Sequence, residues 1–293
     1  MANAGFQIEK AFLERLERLT IHWGKSFPGV VGGHNASRFC GPGQEFLDHR
    51  NFTSGDDLRA VNWRAYMRLE KMFLKLFQIE PRVPIRVLLD ASASMGMGPK
   101  WDYARKLTAA IIYVGLVRLD AIQLIPFRDS LEEGLACGGG RHRFSPVADY
   151  LEALQASGKS DVNRVVRQFL TEGRQRGLII VISDFLGEED WTKPLQYLAD
   201  YGHELTLIQI WNEEDRAPQA AGDLEVTEVE TGRQIKLTFD ESARDQYTES
   251  FDAYAEQLRR LALRNQGRYS GLPTTVPVEE AVFGSLMTAQ GLR

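Results

Sequence analysis

Cysteine is nearly absent: the 293 residues hold only Cys40 and Cys137, and neither belongs to a CxxC pair. Two such thiols make no disulfide framework, which points to a reducing compartment, the cytoplasm, and to buried or inert thiols. Long apolar runs are also missing. The most apolar stretch, Leu107 to Val117, is bounded by Lys106 and Arg118. It is far shorter than the roughly 20 residues a spanning helix needs, so it reads as a buried core helix and no membrane span is expected. Met1 to Lys10 lacks the basic, apolar and small-residue succession of a signal peptide. No GxxxxGK[ST] phosphate loop, HExxH pair or GxSxG elbow occurs, which removes the common nucleotide, zinc-protease and hydrolase signatures. The histidines, His22, His34, His49, His142 and His203, show no paired spacing, so none is assigned to a metal. A net charge of −5 with scattered acids argues against a general nucleic-acid binder.

The composition, 43% hydrophobic and 26% charged, suits a soluble globular chain of one large or two modest domains. Phe12, Leu13, Leu16 and Leu19 recur at helical spacing, so about the first twenty residues form an amphipathic helix. From Gly29 to Asp57 the chain is rich in Gly, Asn, Ser and Pro and reads as loops and short strands; Phe73 to Phe77 is a strand leading out of them. Beyond Pro84 strands and helices alternate. Ile85–Leu89, Ala121–Phe127, Leu178–Ile182 and Glu204–Ile210 read as strands; Trp101–Leu119, Val147–Leu154, Val162–Leu170 and Trp191–Tyr201 read as helices. Apolar strands without alternation imply a mostly parallel sheet covered on both faces, a doubly wound, Rossmann-like α/β domain. Leu224–Val229 and Gln234–Phe239 flank a Gly-containing turn and predict an inserted β-hairpin, followed by a long helix over Ser242–Arg264 and a last short one over Val278–Leu286. The expected boundaries are an accessory region at 1–80 and the α/β domain at 81–293.

The residues that carry chemistry lie where the first domain strand ends. Asp90-Ala91-Ser92-Ala93-Ser94 places a carboxylate and two hydroxyls at alternate positions. In an open parallel sheet ligands gather at the carboxyl ends of strands. Two further pieces fall at the same edge: Ser183-Asp184 after Leu178–Ile182, and Gly158-Lys159-Ser160-Asp161 before the helix from Val162. Asp90, Ser92, Ser94, Ser160 and Asp184 therefore make a candidate oxygen-only cage for magnesium or manganese, with at least one coordination position left for a carboxylate from a partner protein.

This constellation resembles the metal-ion-dependent adhesion site of von Willebrand factor type A domains, with Ser160 standing for the family's threonine. Where that loop commonly reads Gly-Gly-Thr, this chain has Gly158-Lys159-Ser160, and Asp161 is the rival ligand. Gly43-Gln44-Glu45-Phe46, Arg50-Asn51-Phe52, Ser54-Gly55-Asp56-Asp57-Leu58-Arg59 and Val61-Asn62-Trp63-Arg64 resemble the signature of the bacterial family called domain of unknown function 58. The departures are Phe52 for Tyr and Asn62 for Asp. The resemblance implies a type A-like domain behind an accessory segment, and a non-enzymatic adaptor role beside a MoxR-type AAA+ ATPase in chaperone-like complex assembly.

Plainer readings stand beside these. Asp90-x-Ser92-x-Ser94 also suits a capped strand-to-helix turn. The block from Gly55 to Arg64 suits either an ion-pair seam or a partner-docking surface. Gly138-Gly139-Gly140 before Arg141 opens no helix at a strand end and reads as a flexible loop. The enzymatic alternative is a phosphoryl-transfer hydrolase with Asp90 as nucleophile. That chemistry needs a general acid two residues on, where this chain has Ser92.

Overall fold

The computed structural model describes residues 8–25, 40–41, 45–53, 61–78, 83–187, 190–230, 232–289 and 291–292. They fall into two compact units, Met1–Lys25 with Pro84–Arg293, and Ser26–Val83. The amino-terminal helix thus groups with the α/β unit and not with an accessory region spanning 1–80. The reason is burial: α1 (Lys10–Leu16) sinks Phe12 and Leu16 into the core of that unit, and Leu19 and Ile21 follow them.

The second unit holds β1 (Cys40–Gly41), β2 (Glu45–Asn51), α2 (Trp63–Leu69) and β3 (Phe73–Gln78). Its strands form an antiparallel sheet in the order β1-β3-β2, and β3 covers the strand expected at Phe73 to Phe77. Asn62 caps α2, its side-chain oxygen accepting from the Ala65 amide at 3.2 Å. Asn and Asp are equally good caps, which is why the departure from Asp there costs little. Residues 26–39, Gly43, Gln44 and 54–60, including most of the acid-arginine block, lie outside the described residues.

The α/β unit runs β4 (Pro84–Asp90), α3 (Lys100–Val117), β5 (Ala121–Phe127), β6 (Leu135–Cys137), α4 (Phe144–Ala153), α5 (Val162–Thr171), β7 (Leu178–Ser183), α6 (Thr192–Asp200), β8 (Glu204–Trp211) and α7 (Glu213–Arg216). It continues with β9 (Gly222–Thr227), β10 (Gln234–Phe239), α8 (Glu241–Arg264), β11 (Arg268–Pro273) and α9 (Val278–Glu280), which passes into a π-helical turn over Ala281–Leu286. Six strands line up as β11-β8-β7-β4-β5-β6, parallel except for β6 at one edge. Counted within the sheet this is the order 3-2-1-4-5-6 of a doubly wound fold.

Alternate residues of the buried strands feed opposite layers. Ile85, Val87 and Leu89 pack with Leu107, Ile111 and Val114 of α3. Leu88, Ile179 and Val181 face the other way, toward Val165, Phe169, Leu195 and Leu258 from α5, α6 and α8. Both faces being covered explains the apolar runs without alternation.

The inserted hairpin is a separate two-stranded ribbon, Leu224 opposite Leu237 and Val226 opposite Ile235. Its turn closes through Gly232, whose φ of 73° is left-handed and whose amide donates to the Glu228 carbonyl at 2.8 Å.

Candidate functional site

β4 and β7 are neighbours, but β4 leads into α3 on one face and β7 into α6 on the other. The crevice beyond their carboxyl ends is therefore the switch point of the sheet, the usual place for a ligand in such folds.

Asp90 closes β4 and is 1% exposed. Its Oδ1 accepts the Ser92 amide at 2.9 Å and its Oδ2 accepts the Ser183 hydroxyl at 2.6 Å. Burial first, and then the negative charge of Asp184, push the Asp90 carboxyl up to about 7, against the hydrogen bonds from Ser183 and Ser92. Ser92 is buried, and its Oγ lies 3.1 Å from Ser94 Oγ at the start of a short 3-10 turn.

Asp184 follows β7 and is fully buried. Its Oδ1 accepts the Leu186 amide at 3.0 Å and its Oδ2 the Lys100 ammonium at 2.8 Å. Phe185, next in the chain, takes a left-handed φ of 55° and buries its ring against Trp191. That turn, strained for a bulky residue, stops the chain from extending β7 past the site.

The third loop is tied to the first by backbone bonds. Ser157 donates its amide to the Ala91 carbonyl at 2.8 Å, and Ala93 donates to the Gly158 carbonyl at 2.9 Å. Gly158 sits at a φ of 80°, a left-handed position that favours glycine. The two rival residues that follow are used differently. Asp161 caps α5, its Oδ1 accepting the Arg164 amide at 2.8 Å. Ser160 has a buried Oγ with no hydrogen-bond partner, while its amide donates to Glu230 Oε2 at 3.1 Å.

Glu230 comes from the turn between β9 and β10, some 70 residues further along the chain. Burial, and after it the charge of Asp184, hold its carboxyl above the usual range, while the Ser160 amide and the hydroxyls of Ser94 and Ser92 stabilise its charged form. Its other oxygen, Oε1, is buried without a partner. The structure thus links Asp90, Ser92 and Ser94 directly, puts the charge of Asp184 within reach of Asp90, and joins Ser160 to the serines through Glu230.

Sequence reasoning missed four neighbours: Lys100, Ser183, Asp215 and Glu230. Ser183 is adjacent to Asp184 and was within reach of a closer reading. Lys100 Nζ lies 2.8 Å from Asp184 and 3.1 Å from Asp215 Oδ2, and both carboxylates sit outside its own helix. Burial works against the ammonium, but the two carboxylate charges outweigh it and hold the Lys100 pKa above the ordinary lysine value. Only the fold brings a hairpin glutamate to this edge.

Among the described residues no three His, Cys, Asp or Glu side chains gather as a metal cluster. A cation here would depend on serine oxygens, and the donor set suits a hard ion. The unpartnered Ser160 Oγ and Glu230 Oε1 offer free lone pairs. Asp90 and Asp184 have each oxygen engaged by one protein donor, and each of those oxygens keeps a second lone pair.

Uncharacterized proteins of Mycobacterium bovis and Mycobacterium tuberculosis are each 27% identical to the chain over 259 residues, covering 85% of it and 80% of the relative. Among solved structures, a conserved hypothetical protein BatB from Bacteroides thetaiotaomicron covers 71% of this chain and 98% of its own at 14% identity, with a TM-score of 0.40. The SpRpn10 VWA domain covers 69% and 94% at 12% identity and a TM-score of 0.38. Overlaps this loose carry nothing further about this chain. The family model described as protein of unknown function DUF58 matches residues 48–257, and the chain belongs to that family.

Proposed function

We propose that this chain is a non-enzymatic protein-interaction module that uses a divalent cation, magnesium or manganese, to hold a carboxylate of a partner. The supporting observation is the buried, unpartnered Oγ of Ser160, a residue of the loop tied to the end of β4 that shares Glu230 with the hydroxyls of Ser92 and Ser94. A buried hydroxyl without a partner costs about 1–3 kcal/mol, a cost that cation binding would remove. In this reading Asp90, Ser92, Ser94, Ser160 and Asp184 are the ligands, and the two carboxylates supply the negative charge that draws the ion. The bound ion would act as a Lewis acid toward an anionic oxygen. The capping of α5 by Asp161 favours Ser160 over it as the ligand from this loop.

The buried Asp90 with both oxygens engaged is poorly placed to attack a phosphoryl group, which favours the interaction module over the hydrolase. The proposed partner is a MoxR-type AAA+ ATPase, on the strength of the family resemblance, in chaperone-like complex assembly in the cytoplasm. No helix among the described residues is long and apolar enough to cross a membrane.

Calorimetric titration with magnesium or manganese tests the ion. Binding is expected in the wild type and lost in Asp90→Ala; equal behaviour of the two would refute the metal site. Purification of tagged protein from its host, with and without chelator, tests the partner. Recovery of an AAA+ ATPase only without chelator is expected, and its recovery under neither condition would remove the adaptor role.

A further inference from the structure

We propose that Glu230 is an internal ligand of this site: the hairpin turn carries a carboxylate into the position an incoming partner's carboxylate would take, so the hairpin acts as a built-in competitor. The inference rests on the cation reading above. Its own support is geometric. Glu230 Oε2 accepts the Ser160 amide at 3.1 Å, and its remaining oxygen, Oε1, is buried and unpartnered. The hydroxyls of Ser92 and Ser94 and the charge of Asp184 all act on that carboxylate.

The hairpin is suited to swing. Among the described residues β9 and β10 pair only with each other, outside the six-stranded sheet. A lone two-stranded ribbon is marginally stable in water. Val226, Val229, Ile235 and Leu237 stay exposed on it, so little burial holds it down. Among the described contacts, Glu230 holds the Ser160 amide, and Arg244 of α8 holds the Ala220 carbonyl at the hairpin's root.

A tethered carboxylate competes at an effective concentration on the order of millimolar. A partner that supplies a carboxylate must therefore also pay to displace the turn, and the module rests in a self-occupied state until a partner engages it. The chemistry recognised is an aspartate or glutamate side chain presented on a protein surface.

Manganese titrations read by water-proton relaxation separate the possibilities, with wild type, Glu230→Gln, Asp90→Ala and the exposed hairpin control Glu225→Gln. Glu230→Gln should bind manganese about tenfold more weakly, since ligand charge sets affinity. It should also show higher relaxivity per bound ion, because water enters the vacated position. Acetate should then lower that relaxivity in Glu230→Gln at concentrations that leave wild type and Glu225→Gln unchanged. If Glu230→Gln matches wild type in affinity and relaxivity while Asp90→Ala loses manganese, Glu230 is not a ligand and the cation site survives. If Asp90→Ala also matches wild type, the cation site itself fails. Amide exchange at Ser160 reads the contact without any metal: protection should fall in Glu230→Ala, which removes the acceptor, and unchanged protection would overturn the inference.

Discussion

Lys100 Nζ and Asp184 Oδ2 lie 2.8 Å apart with their side chains 1% and 0% exposed, so a lysine ammonium is the nearest positive charge to the carboxyl edge of β7. It also reaches Asp215 Oδ2 at 3.1 Å. One cation thus offsets two carboxylates, while Asp90 and Glu230 stand close by with no cation of their own among the described contacts.

Lys100→Met tests that arrangement. Removing one partner of a buried ion pair costs about 3–5 kcal/mol, because the remaining charge is stranded. Urea unfolding in chelator should show a loss of that order. Millimolar magnesium should recover part of it, since the ion would take over as counter-charge. A variant as stable as wild type in chelator would mean that Lys100 is not what balances Asp184.

Ser160 and Asp161 are neighbours with opposite assignments. Asp161→Ala deletes the cap of α5 and should cost about 1 kcal/mol of stability, with manganese affinity unchanged. Ser160→Ala removes a buried hydroxyl that has no partner, so stability should stay level or rise slightly while manganese affinity falls. Thermal unfolding and calorimetry on the pair read both quantities. The reverse pattern would make Asp161 the ligand.

Much of this was legible in the chain, and the gaps have physical causes. β4, β5, β7 and β8 came from continuous β-branched and leucine runs, which arise only where a sheet is covered on both faces. The edge strands were missed because edges carry weaker signals. β6 is three residues between Gly134 and Gly138, and β11 contains Gly271 and ends in Pro273. At Gly271 an added Cβ would sit 2.6 Å from the Trp211 ring, so packing dictates a residue that reads as a loop. Asp90, Ser92, Ser94 and Asp184 were readable because strand ends fix them locally. Glu230 was not, since its position depends on how a hairpin lies across the fold.

The amino-terminal segment is locked to the α/β unit through Glu204. This carboxylate is fully buried at the start of β8; it accepts the Gly24 amide at 2.9 Å and the Lys25 amide at 2.6 Å, and it pairs with Arg268 of β11. Glu204→Leu strands the Arg268 guanidinium and two amides, so a loss of about 3–5 kcal/mol is expected. Limited proteolysis should then release residues around Gly24 before the sheet is cut. Unchanged cleavage would show that the burial of Phe12 and Leu16 suffices to hold the segment.

His203 makes stability depend on pH. Burial first, and then the charge of Arg86, lower its pKa to about 4; its Nδ1 accepts the Gly177 amide at 3.3 Å, and its ring packs edge-on to Phe169. The unfolded chain has an ordinary histidine near 6.5. Between these values the unfolded state binds the extra proton, so the contribution to stability is complete above about pH 6.5 and is lost as pH falls toward 4. From pH 7 to pH 5 this group alone should remove about 2 kcal/mol. Urea midpoints at both pH values, in wild type and in His203→Gln, isolate the effect from the carboxylates. The variant keeps an acceptor for Gly177 but cannot titrate, so its stability should fall less on acidification. Equal falls in the two proteins would assign the acid sensitivity elsewhere.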